Sequence, residues 1–260
     1  MKHNILELIR YRELLLSWTA RELRLRYKQS LLGGMWAVLQ PLVLMGIFVI
    51  VFSFFLRTPT DDIPPPVFTY TALLPWIYFA TALSFGVPSL VMNMNLVTKI
   101  YFPREILPLA SVGAALVDFS IASLVLIVLM LIYRIQFQIT LLWVPVLIIV
   151  QTIFTIGITL LASMLNAFYR DVRFLIPLII QIWMYATPII YPLSNVPDWL
   201  KPYYLLNPMA GLIDSYRRTI IQGLPPNPLG LGLAFVIALV FLLWGYSYFK
   251  RSEGILPDVI

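Results

Sequence analysis

Residues 106–133 read ILPLASVGAALVDFSIASLVLIVLMLIY, and Asp118 is the one charged side chain among them. A helix rises about 1.5 Å per residue, and about 20 apolar residues cross the hydrocarbon core of a bilayer. Ile106–Tyr133 is therefore long enough to span. Working outward, Gly34–Leu56, Val67–Met92, Leu141–Leu165, Phe174–Tyr191 and Leu229–Phe249 are also apolar stretches of this kind, with Phe174–Tyr191 the marginal one. The 260 residues are 60% hydrophobic and 12% charged, more apolar surface than a soluble fold can hide. The expected fold is an all-α integral membrane protein with six transmembrane helices per protomer.

The cations set the orientation. With the N-terminus inside, Lys2, Arg10, Arg12, Arg21, Arg24, Arg26, Lys28, Lys99, Arg104, Arg170, Arg173, Lys250 and Arg251 fall on the inner side. Arg57, Arg134, Lys201, Arg217 and Arg218 fall outside. That places 13 of the 18 Lys and Arg within and 5 without. Basic loops stay cytoplasmic, so both termini are expected there. A net charge of +6 raises the question of nucleic acid. The charge alternates with the loops and forms no continuous stripe, which excludes that partner.

Two domains of unequal size are expected: a cytoplasmic interface helix within residues 1–33 and a six-span membrane domain over 34–260. In the first, Ile5, Leu8, Ile9, Leu15, Leu16, Leu23 and Tyr27 recur at helical spacing, opposite Arg10, Arg21, Arg24 and Lys28. Such a helix lies in the inner membrane surface, either as a plain lipid anchor or also as a partner contact. Gly33-Gly34 makes the corner into the first span, and Pro41 kinks that span. Two inner loops follow, 93–105 and 166–173. The outer segment 187–224 holds Pro188, Pro192, Pro197, Pro202 and Pro208. Asn207 is placed to cap a helix beginning at Pro208, and Gly223 to end it. That piece, Pro208–Gln222, is too short and too charged to span. It reads as a re-entrant segment, tolerated at membrane depth only against protein or a water-filled cavity.

The chain has no phosphate-binding loop with GK[ST], no cysteine, and one histidine, His3. Nothing here builds a nucleotide site, a thiolate or zinc site, or a histidine-based triad. No cofactor is expected in this chain, and neither enzyme chemistry nor proton pumping is supported. Asp118 alone is a weak sign of a proton path; a bond to a Ser or Thr on a neighbouring helix is the favoured account of it. Aromatics, by contrast, abound: 16 Phe, 14 Tyr and 7 Trp. Trp36, Trp76, Tyr78, Phe79, Trp183 and Tyr185 sit deeper or cluster. They are either core or the wall of a channel on which sugar rings stack.

Several stretches taken together resemble the polysaccharide-exporting ABC transporter permeases. They are Arg26-Tyr27-Lys28-Gln29-Ser30-Leu31-Leu32-Gly33-Gly34-Met35-Trp36, Leu39-Gln40-Pro41-Leu42, Leu74-Pro75-Trp76 and Tyr101-Phe102-Pro103-Arg104-Glu105-Ile106-Leu107-Pro108. Tyr169-Arg170-Asp171-Val172, Asn207-Pro208-Met209 and Tyr216-Arg217 complete the set. The pattern is most similar to O-antigen export permeases and is shared in large part by teichoic-acid and capsule exporters. The resemblance implies a type 2 ABC exporter: a homodimer enclosing a channel, with two separate ATPase subunits that bind ATP and Mg. Its cargo would be a lipid-linked polysaccharide, moved out across a bacterial inner membrane. It also implies that 93–105 is the coupling loop, with Lys99, Arg104 and Glu105 contacting the ATPase and Arg170 and Asp171 bracing the second inner loop. Arg217 and Arg218 would meet the pyrophosphate of the lipid anchor or membrane lipid phosphates. Each of these charges has an ordinary reading as an inner-loop or interfacial residue. Two other functions compete: a drug or lipid exporter of the same fold, and a membrane enzyme acting on lipid-linked sugars.

Overall fold

The computed structural model describes residues 7, 10–55, 63–100, 102–197 and 199–256, and their regular structure is entirely helical. The N-terminal part of the expected interface helix, residues 1–6, 8 and 9, and Arg57 with its loop lie outside the described residues. The helices are α1 (Arg12–Tyr27), α2 (Trp36–Phe48), α3 (Pro65–Gly86), α4 (Ser89–Met92), α5 (Met94–Lys99) and α6 (Ile106–Ile132). They continue with α7 (Val144–Phe168), α8 (Val172–Tyr185), α9 (Lys201–Leu206), α10 (Pro208–Arg217) and α11 (Pro228–Ser252).

Five helical stretches have the length and apolarity to cross a membrane: Gly33–Phe52, Pro65–Gly86, Ile106–Ile132, Ile139–Phe168 and Pro228–Ser252. This is a multi-pass membrane protein. The stretch expected over Phe174–Tyr191 is the 14-residue α8, followed by a non-helical turn to Tyr191. At about 1.5 Å per residue α8 reaches roughly 21 Å, short of a full crossing by itself.

The second span ends earlier than its apolar run. Helix α3 stops at Gly86 rather than continuing to Met92. Pro88 has no N–H for the carbonyl four residues back. Ser89 Oγ donates to the Gly86 carbonyl at 2.6 Å and Asn166 Nδ2 to the Val87 carbonyl at 3.3 Å, so two carbonyls at the helix end are bonded by side chains. The chain then turns through α4 and α5 at the inner face.

Helix α3 is the hub of the core, buried along most of its length and packed on α6, α7, α10 and α2. Gln151 of α7 locks this hub: its Nε2 donates to the Pro75 carbonyl at 2.6 Å, while its Oε1 accepts from the Tyr216 hydroxyl of α10 at 3.0 Å. A buried amide is stable there because both its ends are bonded. The tightest pairing joins α7 and α11. A Cβ on Gly245 would lie 2.2 Å from the Gly157 carbonyl oxygen, so only glycine permits this crossing.

The outer segment folds as its local chemistry dictates. Asn207 accepts from the Met209 N–H at 3.1 Å, Pro208 opens α10, and Gly223 closes the helical run in the left-handed conformation at φ +64°. Both α10 and the π-helical turn that follows it, Arg218–Gln222, pack against protein, which is what non-spanning backbone at this depth requires.

Candidate functional site

Loop 93–105, expected on the inner side, stands on an apolar seat. Leu90, Val97, Phe102 and Leu107 pack with Leu160 and Met164 of α7 and Phe249 of α11, and Leu14 and Trp18 of α1 close the cluster. Met92, Lys99 and Ile100 project outward from it. The three expected contacts of this loop part company. Lys99 is exposed. Arg104 is half-buried and donates through Nη1 to the Glu253 carbonyl. Glu105 is only 1% exposed and pairs with Lys250, whose Nζ lies 2.9 Å from its Oε2. The expectation that Glu105 faces a partner is thereby corrected: its carboxylate ties the loop to α11. Arg170 and Asp171 are both exposed just before α8.

In the membrane region a cavity of about 470 Å³ is bounded by α1, α2, α3 and α6. Trp36, Trp76 and Tyr78 line it, together with Gln40, Thr81 and Ser84. Tyr78 donates to Thr152 Oγ1 at 3.0 Å, and Trp36 donates to Ser30 Oγ at 3.1 Å. Phe79 and Trp183 lie behind that wall, in an edge-on and stacked cluster with Phe154, their ring centroids 5.2–6.0 Å apart, and Trp76 joins the two groups at 5.7 Å from Phe79 and 6.5 Å from Trp183. Tyr185 points away from both groups at the exposed end of α8. The six aromatics therefore form one cavity wall, one packed core and one surface residue.

The cavity also holds the answer to Asp118. Its partner is neither Ser nor Thr but the end of α1. Arg26 Nη1 donates to Asp118 Oδ2 at 2.9 Å and the Tyr27 hydroxyl to Oδ1 at 2.7 Å. Arg26 Nη2 donates to the Ser111 carbonyl at 3.2 Å, and the guanidinium lies 4.1 Å from the centre of the Phe85 ring. Burial lowers the pKa of Arg26 against the opposing pull of Asp118. Burial raises that of Tyr27, reinforced by its bond to Asp118.

In the segment expected outside, the two neighbouring arginines differ. Arg217 is 4% exposed. It donates through Nη1 to the carbonyls of Pro188 at 2.6 Å and Tyr191 at 3.2 Å, and through Nη2 to that of Ile189, while its guanidinium lies over Phe68 at 3.7 Å. It clamps the turn after α8, and its side chain also borders the cavity that Arg218 lines. Arg218 is half-buried and donates through Nε to the Pro225 carbonyl at 3.0 Å. With Lys201, Asp214 and Gln222 it lines a second cavity of about 400 Å³. Burial raises the pKa of Asp214, opposed by Arg218 and then Arg217.

The sequence profile of the ABC-2 type transporter family matches residues 13–221. The chain belongs to the ABC-2 type transporter family. Among its relatives, an O-antigen export system permease protein RfbA of Myxococcus xanthus is 32% identical over 95% of both chains. One of the same description from Klebsiella pneumoniae is 30% identical over 100% of this chain and 98% of its own length. A polysialic acid transport protein KpsM of Escherichia coli is 25% identical over 90% of this chain and 91% of its own.

Two connections of this ABC-2 transporter chain escape sequence reading. Glu105 and Lys250 are far apart in the chain, and no local spacing joins them. Asp118 lacks a cation within its own span, but the signal lies in the preceding amphipathic helix, whose terminal Arg26 is free to turn toward the membrane.

Proposed function

We propose that this chain is the permease subunit of an ABC exporter that moves a lipid-linked polysaccharide, O antigen, out across the inner membrane of a bacterium. Two copies enclose the channel, and two separate ATPase subunits, holding ATP and Mg, dock at the inner face. Both termini are cytoplasmic, as the 13-to-5 distribution of cations favours. The observation that carries this reading is the full-length likeness to O-antigen export permeases at about 30% identity. The geometry adds a fitting docking surface. Lys99, Met92 and Ile100 stand out from a rigid apolar seat, with Arg170 and Asp171 exposed on the other inner loop. Arg104 and Glu105 hold the seat together.

The glycan path is proposed to run along Trp36, Trp76 and Tyr78, where aromatic faces suit the C–H faces of sugar rings and Gln40 and Ser84 suit hydroxyls. Phe79 and Trp183 support that wall from the core. At the exit Arg218, with Lys201, is proposed to meet the phosphates of the lipid carrier or of membrane lipid, since a guanidinium matches phosphate geometry. A capsular cargo is the second reading, favoured by the likeness to KpsM.

The test is genetic and biochemical. Co-expressed with its ATPase, the chain retains the ATPase on purification and alters its ATP turnover. Deletion of the gene leaves lipid-linked glycan accumulating on the cytoplasmic side, and the glycan that disappears from the surface names the cargo. No retained ATPase, or normal surface glycan in the deletion strain, refutes the proposal.

A further inference from the structure

Three observations converge on the end of α1. First, an ion pair stands deep in the membrane domain, its side chains only 6% and 15% exposed, and one partner comes from outside the spans. Ionisable groups at such depth are costly and mark function. Second, Arg26 touches both walls of one groove: Ser111 and Asp118 on α6, Phe85 on α3. The same two helices are the ones on which α2 packs. Third, the link from Tyr27 to Trp36 is a built elbow. Gln29 and Gly33 turn it through φ +62° and +50°, the Ser30 N–H donates to the Tyr27 carbonyl, and Trp36 donates to Ser30. Helix α1 also meets the inner seat through Leu14 and Trp18.

We propose that Asp118 is a positioning residue, the anchor through which displacement of α1 at the inner face is passed to α2 and so to the wall of the cavity. Arg26 and Tyr27 are its two holds. This rests on the reading that an ATPase acts on the inner face.

The chain has no cysteine, so a single cysteine at Gln40 reports the cavity wall. In the assembled complex, maleimide labelling of Q40C is expected to change between nucleotide-free and ATP-trapped states. D118N removes that change and lowers export per ATP about tenfold, the scale set by losing charge-assisted bonds, while the ATPase still binds. Y27F leaves the charges paired and lowers export per ATP less. The exchange R26D/D118R restores the response. A covalent substitute is available too. A Cβ on Gly113 would lie 3.8 Å from Thr19 Cβ, the usual separation in a disulfide. Oxidised T19C/G113C is expected to restore export per ATP to D118N, and reduction to remove it. A D118N complex that keeps the nucleotide-dependent labelling overturns the anchor, as does a parent Q40C complex that binds ATPase without responding. Should the parent chain bind no ATPase, the exporter reading falls first and the anchor with it.

Discussion

Arg217 and Arg218 are adjacent and border one cavity, yet the first is buried among three carbonyls while the second is half-buried and donates to the Pro225 carbonyl. Arg217→Lys keeps the charge but loses the planar fork and the stack on Phe68. It is expected to destabilise the protein by about 1.5–3 kcal/mol, read as a lower melting temperature in detergent. Arg218→Gln should leave melting nearly unchanged and slow export. The aromatics divide in the same way. Phe79→Ala, in the packed cluster, should cost about 3–5 kcal/mol. Trp36→Ala, at a side chain 46% exposed, should slow glycan passage with little effect on melting. Asp214 adds a pH test. Its raised pKa means the folded state holds the proton more tightly than the unfolded chain does. The stability this provides is complete below the ordinary carboxylate range and is lost as pH rises through the folded pKa. Asp214→Asn should therefore melt higher than the parent at neutral pH, with the gap closing in acid below about pH 4.

At the scale of elements, what the sequence makes legible is what is local. The cap, first turn and stop of α10 lie within a few residues of one another, and Asn207, Pro208 and Gly223 perform those roles. The end of α3 is hidden because the apolar run passes through Pro88 unchanged, and membrane helices tolerate proline when neighbours bond the freed carbonyls. Ser89 is a local partner, but Asn166 is visible only once α3 and α7 are packed. The partner of Asp118 is hidden for a related reason: pattern reading assigns α1 to the surface plane, while its last two side chains reach into the groove. The α7–α11 crossing gives the sharpest prediction here. Gly245→Val drives a side chain into the Gly157 backbone and should cost at least about 1–3 kcal/mol. Because those helices also carry the seat of loop 93–105, the loss should appear as poor ATPase retention as well as reduced melting.

At the scale of the molecule, two very different surfaces meet. The core around α3 is closed, while the Gly33–Phe52 span packs one side on it through Leu42, Leu44, Met45, Phe48 and Phe52 and leaves its other side exposed. A second copy is the proposed cover for part of that face. Single cysteines at Val43 or Ile47, both exposed on it, should cross-link two chains in membranes. Cross-linking absent at every such position would argue that α2 faces lipid.

Lys250 and Phe249 sit near the end of α11, yet they complete the base under the first inner loop. Of the described helices, α11 leaves the ribosome last. Until it inserts, Glu105 has no counter-ion and the hydrophobic cluster lacks a wall. On the proposed docking, a polypeptide stopped before α11 is expected to give an ATPase no landing place, which co-purification of the truncated chain would read.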